Sequence, residues 1–214
     1  MSELHSYRQS YEKGKLVESQ IDDNPFHLFE HWFKTAESSE TIREVNAMTI
    51  STIGTDGFPK SRVVLLKEYN EKGFIFYTNY TSEKAKAIEE NDHICMSFFW
   101  PELEQQIIIK GIAAKTSNEK STEYYKSRPR GSQLGAWASH QSDNVASRDI
   151  IENRLKELEK KFEGRDIPKP DFWGGFNVSP HSIEFWQGRP NRLHDRIRFS
   201  KKENGEWTFN RLEP

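Results

Sequence analysis

Cys95 is the only cysteine in 214 residues. No intrachain disulfide can form, and a thiolate metal site is excluded. The residue lies in the apolar run Ile94-Cys95-Met96-Ser97-Phe98-Phe99 and reads as an inert, buried thiol. Such cysteine usage fits a reducing, cytoplasmic setting. Long hydrophobic runs are also missing. No stretch approaches the ~20 apolar residues of a membrane-spanning helix, and the polar segment 1–20 has no apolar core of a signal peptide. The net charge of −2 argues against the broad basic surface of a non-specific nucleic-acid binder. No Gly-x-Gly-x-x-Gly, P-loop, Gly-x-Ser-x-Gly or His-Glu-x-x-His pattern occurs, which disfavours a Rossmann dinucleotide site, a P-loop nucleotide site, a serine-hydrolase elbow and a zincin centre. His27 and His31 stand four apart, but on an aromatic-rich segment with no third ligand nearby, so no metal is expected.

Aromatics are plentiful. Only 34% of residues are hydrophobic, but 13% are Phe, Trp or Tyr, and each ring buries enough area to build a core at modest aliphatic content. The spacing of Phe26, Phe29, Trp32 and Phe33 predicts a helix that Asn24 caps and Pro25 opens, running to about residue 36. Residues 47–54, 60–68, 74–79, 93–100 and 105–116 read as strands, with turns at Thr55-Asp56-Gly57 and Asn70-Glu71-Lys72-Gly73. The continuous Ile107-Ile108-Ile109 suggests burial on both faces. Ser82 caps a helix over 83–90, and 118–126 and 133–139 read as short helices. Residues 144–162 form the longest helix, with Ile150, Ile151, Leu155, Leu158 and Phe162 on one stripe. Strands follow at 175–179, 183–187, 193–200 and 207–212. Consecutive hairpins imply a mostly β fold with flanking helices, an antiparallel sheet closed as a barrel. Residues 1–20 read as a mobile N-terminal arm and 21–214 as a single domain.

Five stretches carry chemistry. Residues 186–196 (WQGRPNRLHDR) hold three arginines, a histidine, a tryptophan and an aspartate. In an extended chain Arg192, His194 and Arg196 would share one face, a wall suited to an anionic planar ligand. Arg62 and Lys67 stand at the ends of an apolar strand, which reads as two anion contacts or as an ordinary strand with solvated ends. Residues 77–84 (YTNYTSEK) combine hydroxyls, a helix start and Lys84; they read as a phosphate cradle or as an N-cap alone. Tyr124 to Gln133 supplies Tyr, Arg and Ser donors for one phosphate, or a polar connection between helices. Ser139-His140-Gln141-Ser142 is a polar loop that says little by itself.

In this order, RVVLLK (62–67), YTNYTSEK (77–84), SRPRGSQLGAWASHQS (127–142), FWGG (172–175) and EFWQGRPNRLHDR (184–196) closely resemble the pyridoxamine 5′-phosphate oxidase family, over nearly the whole chain. The resemblance implies an FMN-binding split β-barrel that works as a homodimer with FMN held between the subunits. Residues 172–214 would be its C-terminal dimerisation and active-site segment. It implies oxidation of pyridoxamine 5′-phosphate or pyridoxine 5′-phosphate to pyridoxal 5′-phosphate: a hydride leaves C4′ for the flavin, and dioxygen becomes hydrogen peroxide. Related split barrels that only bind flavin or pyridoxal phosphate, or that oxidise another ring, are the alternatives.

Site residues follow from the same resemblance. Arg62, Val63, Val64, Leu65, Leu66 and Lys67 would line the flavin. Arg62 and Lys84 would pair with the FMN phosphate, with Tyr77, Thr78 and Ser82. Gln106, Gln141, Ser142, Trp186 and Arg196 would complete the cofactor site. Lys67, Tyr124, Arg128 and Ser132 would hold the substrate phosphate, and Arg192, Leu193 and His194 would meet the substrate ring, with Arg192 and His194 catalytic. Arg8 and Tyr11 in the arm would close over the substrate. Glu83 departs from the family, which commonly has Arg or Lys there; the expectation is a carboxylate pointing away from the phosphate and a weakened FMN affinity.

Overall fold

The computed structural model describes residues 4–214; the first three residues of the expected arm lie outside the described residues. Among the described residues five α-helices and nine strands form, in the chain order below. Helix α1 (Pro25–Glu37) starts as expected: the Asn24 side chain accepts the Phe26 N–H and Pro25 occupies the first turn. Strands β1 (Ala47–Ile53), β2 (Pro59–Leu65), β3 (Glu68–Asn70) and β4 (Gly73–Asn79) follow, then helix α2 (Glu83–Glu90), capped by Ser82, whose Oγ accepts the Ala85 N–H. Strands β5 (His93–Trp100) and β6 (Gln105–Lys115) precede helices α3 (Asn118–Ser127), α4 (Arg130–Ala138) and α5 (Arg148–Lys161), and the chain ends in β7 (Trp173–Gln187), β8 (Asp195–Lys201) and β9 (Trp207–Leu212). One sheet runs in the order β2-β1-β5-β6-β7-β4-β3, with β8 on β7 and β9 on β8. The β3–β4, β4–β7, β7–β8 and β8–β9 pairs are antiparallel. No helix among the described residues is long and apolar enough to cross a membrane.

Contacts divide the described residues into two compact units: those up to residue 50, with 95–111 and 180–214, form the first, and 51–94 and 112–179 the second. In the first, α1 lays Phe29 on Phe98 and Trp32 on Phe185, edge to face at 5.5 and 5.3 Å, and Phe185 meets Phe199. In the second, Tyr125, Leu134, Phe162, Ile167 and Trp173 make a buried cluster over which α3, α4 and α5 pack.

Four expectations change. Strands at 175–179 and 183–187 are one strand, β7, which continues through Pro180. On one edge its β4 partner ends at Val178 and its β8 partner begins at Ser182, so Pro180 falls in the gap where the strand passes from one partner to the other. Helix α5 starts at Arg148, not 144, and none of its residues is buried; only Leu155 and Leu158 of its apolar stripe press on the cluster, beside Phe162. Ile108 is half-buried between buried Ile107 and Ile109. The last correction falls at 190–193. Pro190–Arg192 is a 3-10 turn with positive φ at Asn191 (58°) and Arg192 (63°), and β8 begins only at Asp195. Pro fixes the turn's first φ and Asn tolerates the left-handed region, so the local preference is for a turn, not a strand. The alternation of Arg192, His194 and Arg196 along one extended face is therefore not formed.

Candidate active site

A cavity of about 560 Å³ opens in the second unit between β2, β4, α3 and α4. That size suits a small-molecule ligand. Of the expected cofactor residues, Val63, Val64, Leu65, Lys67, Tyr77, Thr78, Lys84 and Gln141 line it. So do all the residues expected at the substrate phosphate: Lys67, Tyr124, Arg128 and Ser132. The structure thus brings Lys84, Thr78 and Gln141 into one cavity with Lys67, Tyr124, Arg128 and Ser132. Asn79, Pro129, Gly135, Ala136, Ser139 and Trp173 complete the lining and went unassigned in sequence. Trp173 stands in the FWGG stretch and four of the others in 127–142, so the motifs held the signal without the roles. Asn79 does structural work, accepting the Thr81 N–H and donating to the Ser139 carbonyl across two segments.

Lys84 emerges from the first turn of α2 and is 7% exposed. Its Nζ donates to Gln141 Oε1 (2.7 Å) and Thr78 Oγ1 (3.2 Å), both neutral oxygens. Burial, then the nearby Arg62 charge, pulls the Lys84 ammonium down to about 8. Arg128 caps the C-terminal end of α3. Its guanidinium lies 4.7 Å from the Trp173 ring, and its Nη1 is buried with no hydrogen-bond partner among the described residues. Burial also lowers its pKa. Tyr77 stacks on Tyr124 (4.0 Å) and lies near-parallel to Trp173 (5.4 Å), the three rings forming one cluster, and burial pushes its hydroxyl up to about 12, so it remains a neutral donor.

A buried guanidinium nitrogen without an acceptor and a buried ammonium held only by neutral oxygens are both costly. An anion in the cavity removes the cost at each. With the flat Tyr and Trp faces and the apolar Val63–Leu65 wall, the donor set fits a phosphorylated aromatic ligand, FMN included.

Other expected residues sit elsewhere. Arg62 lies outside the lining; its Nη1 reaches Thr52 Oγ1 at 3.5 Å and its Nη2 stands 3.7 Å from Glu83. Leu66 is buried in the core and Ser82 is occupied as the α2 cap, donating to the Asn79 carbonyl. Ser142 is exposed in a left-handed conformation. The Glu83 carboxylate is held by Lys60 and faces Arg62 Nη2 at 3.7 Å.

Gln106, Trp186, Arg192, Leu193, His194 and Arg196 belong to the first unit, with Arg8 and Tyr11. Gln106 bonds Ser97. Arg196 is turned onto Glu184 (2.8 Å) and the Glu213 carbonyl (2.9 Å). Tyr11, Trp186 and His194 form an aromatic group, with the Tyr11 ring 5.8 Å from Trp186 and 5.7 Å from His194. The Arg189 N–H donates to His194 Nδ1 at 3.1 Å, so the neutral ring carries its hydrogen on Nε2. Burial, then Arg192, lowers the His194 pKa, favouring that neutral form. Leu193 is 67% exposed, and Arg8 is exposed as well.

Comparison with known proteins bears on the same residues. A family model described as pyridoxamine 5′-phosphate oxidase matches residues 35–162, and a second, described as the pyridoxine 5′-phosphate oxidase C-terminal dimerisation region, matches 173–214. The pyridoxine/pyridoxamine 5′-phosphate oxidase of Flavobacterium johnsoniae is 58% identical over 212 residues, covering 99% of each chain. That of Flavobacterium psychrophilum is 54% identical over the full length of both. Among solved structures, PhzG from Burkholderia lata, in complex with tetrahydrophenazine-1-carboxylic acid, superposes with a TM-score of 0.86 at 29% identity, covering 93% of this chain and 98% of that one. A pyridoxamine 5′-phosphate oxidase-related, FMN binding protein from Nostoc punctiforme has the same fold at a TM-score of 0.70 and 13% identity, over 88% and 96% of the two chains.

Proposed function

The chain belongs to the pyridoxamine 5′-phosphate oxidase family, and on that premise we propose that it oxidises pyridoxamine 5′-phosphate or pyridoxine 5′-phosphate to pyridoxal 5′-phosphate with FMN as cofactor. FMN would supply the two-electron acceptor, and dioxygen would take those two electrons with two protons and become hydrogen peroxide. The chain's own task is to bind, orient and charge-match. Lys84, Thr78 and Gln141 hold the cofactor phosphate, with Arg62 behind them. Val63, Val64 and Leu65 give the flavin an apolar wall, and Tyr77 a hydroxyl donor. Lys67, Tyr124, Arg128 and Ser132 hold the substrate phosphate. Arg192 presents a cation to the substrate ring, His194 an Nε2–H donor, and Arg8, Tyr11 and Leu193 flank them. Gln106, Ser142, Trp186 and Arg196 complete the cofactor's surroundings.

The observation that carries this reading is the pairing of Arg128 Nη1, buried without an acceptor, with Lys84 in one cavity. A protein that only stores flavin has no use for the second cation. The partner is a second copy of this chain, with FMN at the interface. Val63 lines the cavity yet is 68% exposed, and Phe58 in the same unit is 71% exposed, leaving apolar surface for a partner to cover. The enzyme works in the cytoplasm, away from nucleic acid and membrane. The test is direct: purify the protein, record its flavin spectrum, add pyridoxamine 5′-phosphate, and measure aldehyde and peroxide. Yellow protein without turnover would return it to the binders.

A further inference from the structure

Residues 13–18 (KGKLVE) are polar apart from Leu16 and Val17, yet they are fastened at almost every residue. The Leu16 N–H donates to Asp195 Oδ2 (3.1 Å), and the Leu16 carbonyl accepts from Arg211 Nη2 (2.8 Å). Arg211 also donates to Asp195 Oδ1 (2.7 Å) and, through Nε and Nη2, to both oxygens of Glu18 (2.6 and 2.8 Å). The Gly14 carbonyl accepts from Arg189 Nη1 (2.8 Å), and Arg189 Nε stands 3.5 Å from Asp195 Oδ2. The Lys13 N–H donates to Glu104 Oε2 (2.9 Å). Leu16 is 5% exposed.

The register of the sheet builds this arrangement. Arg211 on β9 is directly opposite Ile197 on β8, so it shares a face with Asp195, its diagonal neighbour. The contact is close enough to demand glycine twice. A Cβ on Gly14 would fall 2.8 Å from Gln187 Oε1, and one on Gly188 would fall 2.8 Å from Tyr11 Cγ. Asp195 follows His194 in the chain, so whatever holds the arm to Asp195 also sets where Tyr11 meets His194 and Trp186.

We infer that Asp195, Arg211 and Arg189 are positioning residues, forming a clasp that docks the N-terminal segment and holds the Tyr11 ring against His194 before substrate arrives. For the part that concerns substrate, this rests on the oxidase reading. The clasp ties the segment by the main-chain atoms of Lys13, Gly14 and Leu16 and by the Glu18 carboxylate, with the Lys13 ammonium also donating to the Glu102 carbonyl. Its contribution is preorganisation: Tyr11 is already ordered, and substrate binding does not bear the entropy of ordering it.

The experiment compares wild type with Arg211→Met, Asp195→Asn and Glu18→Gln as FMN-loaded full-length proteins. Tryptic cleavage after Lys13 and Lys15 is followed by mass spectrometry, FMN dissociation by fluorescence, and KM and kcat with pyridoxamine 5′-phosphate. Arg211→Met and Asp195→Asn should accelerate cleavage about tenfold, the factor expected if undocking becomes easier by about 1.4 kcal/mol. KM should rise by a similar factor, with kcat within about threefold and FMN affinity within about twofold of wild type. Glu18→Gln, which keeps the acceptors and loses the charge, should do less on both readouts. Unchanged cleavage in variants that hold FMN overturns the clasp. So does an equal fall of kcat, substrate affinity and FMN affinity, because that is general destabilisation. Should Arg211→Met fail to hold FMN, Asp195→Asn decides by the same criteria. Faster cleavage in variants of a protein that never oxidises pyridoxamine 5′-phosphate supports the clasp and removes the oxidase reading; normal turnover with unchanged cleavage does the reverse.

Discussion

The cations of the cavity and those of the β7–β9 region are the same residue types in opposite settings. Arg128 has a buried nitrogen with no acceptor, and Lys84 only neutral oxygens. Arg196 faces Glu184, while Arg189 and Arg211 both face Asp195. A cation answered by a carboxylate has its charge balanced inside the fold and stabilises it; one left unanswered in a buried place destabilises the free protein and waits for an anion. The difference separates ligand-binding from structural arginines more sharply than sequence position does.

The strongest test of that contrast is Arg128→Met. Loss of one charge-assisted bond to the substrate phosphate should raise KM for pyridoxamine 5′-phosphate about 10- to 100-fold, from roughly 1.5–3 kcal/mol per bond. The FMN-free protein should melt no lower than wild type, because the lost side chain was an uncompensated buried charge. A melting point several degrees lower with KM unchanged would place Arg128 with the structural arginines.

Lys84 sharpens the same side through pH. Its pKa in the fold, about 8, lies below the ordinary 10.5. Between those values the unfolded chain binds more protons than the folded one, so the free protein gains stability as pH rises through this window. Binding the FMN phosphate needs the ammonium, so affinity runs the other way. The FMN dissociation constant should be flat below about pH 8 and weaken by up to about tenfold per unit above it. Lys84→Arg should flatten the curve, and a flat wild-type curve up to pH 9.5 would contradict the assignment.

Arg196 tests the paired side. Arg196→Ala leaves Glu184, whose side chain is 15% exposed, without its partner. The cost should be about 1–2 kcal/mol, less than for a fully buried pair because Arg196 is 32% exposed. Urea denaturation of the FMN-free protein measures it. Unchanged stability would remove Arg196 from the paired side, and a fall in FMN affinity beside the stability loss would show that the paired arginine also serves the cofactor.

What could be read in the sequence was what neighbouring residues decide. Ser82 and Asn24-Pro25 set helix starts by their own hydrogen-bonding and φ preferences, and both starts fell where expected. The Pro190-Asn191 turn is also local: the preferences of proline and asparagine override the extended chain that the charge alternation at 192–196 suggests. The rest depends on register and long-range packing. Nothing near Lys67 or Tyr77 says that β4 and α3 bring Lys84 and Arg128 to the lining of one cavity. Nothing near Arg211 says that β9 sets it diagonal to Asp195.

Glu83 lies between the two regimes and gives the smallest effect. It holds Lys60 and Arg62, so two cations near the cavity are paired although their neighbour Lys84 is not. These pairs are partly exposed, with Glu83 at 45%, and each is worth only about 0–1 kcal/mol. Glu83→Arg frees Arg62, leaves Lys60 to Asp56 alone and adds a third cation, shifting the local charge by two units toward what a phosphate prefers. FMN should bind about two- to fivefold more tightly at low salt, and the gain should shrink near 1 M salt, where the screening length is about 3 Å. Fluorescence titration at both ionic strengths decides it. Identical affinity for the two proteins at low salt would mean that the Lys60–Glu83–Arg62 pairing is a surface feature with no bearing on the cofactor.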